Sequence, residues 1–123
     1  MEETYHKKEN EQHNQTYILE EQLLKLVRTG NCEGFKEFMY SESNFHIGVT
    51  GSTALRQLKN NIIITTTLCT RAAIEGGLDY DTAYQLSDYF IQSSERLTSA
   101  DRLTDLLGKV SYTFAEKVAQ SKT

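Results

Sequence analysis

The chain has 123 residues, a net charge of −4, 38% apolar residues, and neither proline nor tryptophan. That length supports one domain, able to bury about two-thirds of its unfolded surface. The acidic balance argues against a nucleic-acid-binding face, because phosphate recognition needs clustered Lys and Arg, and the local basic pair is Lys7-Lys8 in a stretch richer in acids.

There is no signal-peptide pattern and no apolar run of about 18 residues, so the expected location is the cytoplasm, with no membrane contact. Cys32 and Cys69 stand far apart in the sequence and form no metal or redox motif. They read as small hydrophobes in a reducing compartment.

Residues 1–15 are polar and lack an apolar period, and read as a disordered N-terminal extension or a polar extension of the first helix, ahead of a helical domain over 16–120. His6 and His13 are too few to hold a metal. The first helix is predicted from Thr16 to Thr29, on a stripe of Leu19, Leu23, Leu26 and Val27 flanked by Tyr17 and Leu24. Gly30 stops it, and Asn31 caps a short second helix, Cys32 to Tyr40, with Phe35, Phe38 and Met39 on its apolar face. So tight a junction predicts an αα-hairpin.

Ser41 to Gly51 reads as irregular. Its His46 fits the core edge or solvent better than a general base, and Gly48 to Thr53 lacks the lysine and preceding strand of a phosphate loop.

A long helix is predicted from Ser52 to Glu75, roughly 35 Å at 1.5 Å per residue. Six β-branched residues in a row, Ile62 to Thr67, favour a strand by propensity alone. The wider window overrules them: Leu55, Leu58, Ile62, Thr65, Cys69, Ala72 and Ala73 recur at spacings of three and four. Ser52 or Thr53 serves as its N-cap, and Gly76-Gly77 as its C-terminal stop.

Asp79 is the expected N-cap of a fourth helix running to Glu95, with Ala83, Leu86, Phe90 and Leu97 inward. Thr98 opens a fifth helix to Ala119, with Asp101 completing a capping box. Its stripe is Leu103, Leu106, Leu107, Val110, Phe114 and Val118, which suits internal burial and a dimer seam equally well. The expected fold is all-α, with five helices around the long central one.

Two sets of residues stand out. Arg71 lies in the most apolar stretch, and Asp88 near the inward face of the next helix, so the Gly-Gly turn is expected to bring them together as a structural ion pair. Tyr80, Tyr84 and Tyr112 are candidates for an interface or a pocket rim. No catalytic constellation, metal set or cofactor motif emerges, so the expected protein is not an enzyme.

The stretch LKNNIIITTTLCTRAAIEGGLDYDTAYQLSDYFIQSSE, Leu58 to Glu95, resembles the helical segment that precedes the DNA-binding module in one branch of the AraC/XylS transcriptional regulators of Gram-positive bacteria. The matching features are Lys59-Asn60, TLCTRAAIEGGL, Leu86-Ser87-Asp88 and Glu95, with LEEQLLKLVRTGN (Leu19 to Asn31) and FAEKV (Phe114 to Val118) on either side. The resemblance spans about residues 17 to 118. It implies a non-catalytic regulatory or connecting domain. Its partners would be its own DNA-binding module and a second copy, with DNA reached only through that module. Such regulators continue into two helix-turn-helix motifs, which residues 1–123 do not include. The rival expectation is a stand-alone helical adaptor or anti-regulator acting by protein–protein contact.

Overall fold

The computed structural model describes residues 2–41 and 51–122, with side chains from residue 10 onward except 12 and 39–41. Residues 42–50, which hold most of the expected irregular piece and His46, lie outside the described residues. The order is α1 (Glu2–Thr29), α2 (Gly34–Ser41), α3 (Ala54–Glu75), α4 (Tyr80–Arg96) and α5 (Ala100–Ser121). The all-α expectation holds, with five helices packed on one another.

The caps show why the helices begin and end where they do. Thr53 Oγ1 accepts a hydrogen bond from Arg56 N at 3.1 Å, and Asp79 Oδ2 from Thr82 N at 2.9 Å. Each meets a backbone donor that the first turn leaves unpaired. Asn31 Oδ1 accepts from Gly34 N at 3.0 Å and so opens α2, although the regular helix starts later than Cys32. At α5 the cap is Ser99 rather than Thr98, accepting from Arg102 N at a longer 3.5 Å. One residue decides it, because the cap must stand three positions before the donor it satisfies.

Two C-termini close in the same way. Asn31 N donates to Leu26 O and Leu78 N to Ala73 O, each reaching back five residues, with Gly30 (φ 65°) and Gly77 (φ 106°) in the left-handed region. This is the Schellman arrangement, which glycine enters without a Cβ penalty.

Helix directions follow from what touches what. Arg28 pairs with Glu75, and Lys122 Nζ donates to Thr29 O, so the C-terminal ends of α1, α3 and α5 share one pole. Lys59, near the start of α3, donates to Glu95 O at the end of α4, so those two run antiparallel. Phe35 of α2 packs edge-on against Tyr112 of α5, and α2 also packs on α1 across the Gly30 turn.

The core lies between α3 and α5, the most extensively packed pair, with α1 and α4 covering it. Val27, Ile62, Leu103, Val110, Phe114 and Val118 are fully buried. Of the expected α5 stripe, Leu103, Val110, Phe114 and Val118 are buried with Ala115 beside them, while Leu106 and Leu107 are half-buried. In α1, Leu24 belongs to the core rather than to its flank, while Tyr17 is exposed. In α4, Ser94 is buried behind Phe90.

Candidate functional site

The singled-out charges sit on the α3–α4 surface. About 100° of rotation separates successive helical residues. Thr70 and Ala72 are both buried, so Arg71 between them points away from the core. It continues an outer row through Ile64, Thr67 and Glu75. Asp88 is likewise exposed on α4.

The expected Arg71–Asp88 ion pair does not form. Arg71 instead lies over the Tyr84 ring, its Cζ 5.1 Å from the centroid. A guanidinium held over an aromatic face keeps its hydration on one side, so this contact asks for no buried charge. Among the described residues the ion pair is Arg28–Glu75, 3.7 Å apart, at the shared pole. Glu75 is 62% exposed there, which makes the pair a weak contributor.

Of the three tyrosines, Tyr80 and Tyr84 stand one turn apart on α4, 66% and 45% exposed. Tyr112 belongs to α5, and its ring partner is Phe35 of α2, edge-on at 5.9 Å. It seats the short helix and has no ring contact with Tyr80 or Tyr84. Tyr89, not among the expected residues, is also exposed and packs edge-on against Phe90 at 5.5 Å.

The interior holds polar groups that sequence reasoning placed elsewhere. Thr66 and Ser94 are fully buried and Thr70 nearly so. Thr70 Oγ1 donates to Thr66 O at 2.6 Å, and Ser94 Oγ to Ile91 O at 2.7 Å. Thr66 Oγ1 has no hydrogen-bond partner. The signal for Thr66 was its place four residues after Ile62 and three before Cys69, which aligns it with the stripe better than Thr65.

Neither thiol sits in surroundings that favour its thiolate. Burial pushes Cys69 up to about 12, with Glu20 adding to the rise, so the thiol stays neutral. Cys32 is half-buried, and its pKa is also raised, first by desolvation and then by Glu116. A nucleophilic cysteine needs the opposite shift. Hydrogen bonds from Thr82 hold the Asp79 carboxyl below the usual range, as an N-cap does. Among the described residues, no group of three or more His, Cys, Asp or Glu is placed to hold a metal ion.

The chain matches no known protein family, and no curated protein or solved structure matches it either.

Proposed function

We propose that this chain is the non-catalytic helical part of an AraC-type transcriptional regulator, holding or positioning a helix-turn-helix module outside residues 1–123. One observation carries the reading. The three stretches that share the resemblance, Leu19–Asn31, the run Thr67–Leu78 within Leu58–Glu95, and Phe114–Val118, are far apart in sequence yet meet in space. Leu24 and Val27 of the first, Cys69, Ala72 and Ala73 of the second, and Phe114, Ala115 and Val118 of the third belong to one core cluster.

In this reading the domain works through protein contacts. Its partners are its own DNA-binding module and a second copy of the chain, and DNA is reached through the module alone. The net charge of −4 fits that division, since phosphate binding is carried by basic surfaces. Leu103, Val110, Phe114 and Val118 of α5 are already buried, so a second copy along α5 would meet the half-buried Leu106 and Leu107. Signal transfer requires two helix arrangements whose balance a ligand or partner shifts. No helix among the described residues is long and apolar enough to cross a membrane.

The second reading, a stand-alone adaptor, is favoured by the exposed rings of Tyr80, Tyr84 and Tyr89 on α4. The reading frame beyond the Thr123 codon separates the two. The regulator reading expects two helix-turn-helix patterns with a basic balance there. A stop codon transfers the conclusion to the adaptor.

A further inference from the structure

We propose that the last turn of α1 is a coupling element, which makes the C-terminal ends of α3 and α5 move as one unit. The inference does not depend on the regulatory reading. Most helix pairs touch through side chains, whose rotamers absorb small shifts. Here the backbone itself is in contact on two sides. A Cβ at Gly30 would lie 2.8 Å from Ala119 N on α5, and one at Gly76 would collide with the Arg28 carbonyl.

Three consecutive residues therefore face both neighbours. Arg28 abuts the end of α3 through its carbonyl and pairs with Glu75. Thr29 O accepts from Lys122 Nζ at 3.2 Å, and Gly30 abuts Ala119. The Schellman closures at Gly30 and Gly77 fix the backbone on either side. A displacement of the last turn of α5 has no slack to enter at Gly30, so it reaches Arg28 and then Gly76. At the opposite pole Lys59 Nζ reaches Glu95 O at 3.2 Å, a side-chain link like that of Lys122, but among the described residues no glycine there brings two helix backbones into contact.

Amide hydrogen exchange on the whole chain tests this, comparing the natural protein with Lys122→Ala and Gly30→Ala. Lys122→Ala removes one exposed side chain on α5 and nothing on α3. The expected result is severalfold faster exchange at Gly30 and Asn31, accompanied by faster exchange at Gly76, Gly77 and Leu78, with Leu97 and Leu103 unchanged. Gly30→Ala should give the same pattern, enlarged. Changes confined to Gly30 and Asn31 overturn the coupling, and so does uniform acceleration that includes Leu97 and Leu103. No change at Gly30 or Asn31 in Lys122→Ala overturns the clamp itself. If Gly30→Ala does not fold, the lysine variant still decides.

Discussion

A hydroxyl without a partner in a close-packed interior costs stability, and Thr66 carries one. Valine has nearly the same shape and no hydroxyl. Thr66→Val is expected to stabilise the protein by about 1 kcal/mol, read from urea unfolding. Thr70→Val should not share the gain, because its hydroxyl is bonded to Thr66 O.

Arg71 makes a second residue-scale prediction. A double-mutant cycle of Arg71→Met with Asp88→Asn should show no coupling. The cycle of Arg71→Met with Tyr84→Leu should show about 0.5 kcal/mol, the size of an exposed cation–π contact. The sequence misled here for a definable reason. An apolar neighbourhood in sequence was read as an apolar environment in space, although a helix turns adjacent residues to different sides.

The acid limb of stability follows from two carboxylates of opposite sign. The folded pKa of Asp79 lies below its unfolded value, so its contribution is full above the unfolded pKa and fades as pH falls through the folded one. Glu20 runs the other way. Desolvation first, then Glu21, raise its folded pKa, so the folded state holds that proton more tightly and acid relieves a penalty. In urea midpoints measured from about pH 7 down to pH 3, Asp79→Asn should flatten the acid loss and Glu20→Gln should steepen it.

At the scale of the element, the Gly-Gly pair ending α3 does two separate jobs. Gly77 supplies a positive φ in open space, whereas Gly76 is helical and lets the Arg28 backbone approach. Gly77→Asn should therefore cost about 1 kcal/mol or less, since asparagine tolerates that conformation. Gly76→Asn or Gly76→Ala should cost about 3 kcal/mol, the upper range for forcing atoms into a packed contact. Thermal or urea unfolding of the set gives the order. Equal costs at the two positions would refute the division.

Much at this scale was legible in the sequence. The α5 stripe and the caps Thr53 and Asp79 follow from helical spacing and from hydrogen-bonding chemistry that acts within a few residues. The strand-like run Ile62 to Thr67 was correctly overruled, since tertiary burial outweighs a few tenths of a kcal/mol per residue of propensity. The start of α1 was half legible. It begins at Glu2, which agrees with the reading of residues 1–15 as a polar extension of the first helix, but no apolar period there chose that reading over disorder. The reason for Gly76 was hidden as well, because the chain it makes room for lies 48 positions earlier.

At the scale of the whole molecule, α1, α3 and α5 end at one pole. The candidate site was less legible than the fold. Stripes and caps are local properties, whereas Arg71 over Tyr84 and Tyr112 against Phe35 depend on how separate helices pack. The proposed reading divides the labour: residues 1–123 would position, and a separate module would bind DNA. DNA binding by the natural full-length protein and by residues 1–123 in parallel tests it most directly, using fluorescence anisotropy on the DNA upstream of the gene at two salt concentrations. The account predicts salt-sensitive binding by the full-length protein and none by residues 1–123 at the same concentrations. Binding by residues 1–123 alone, or no binding by the full-length protein, would contradict it.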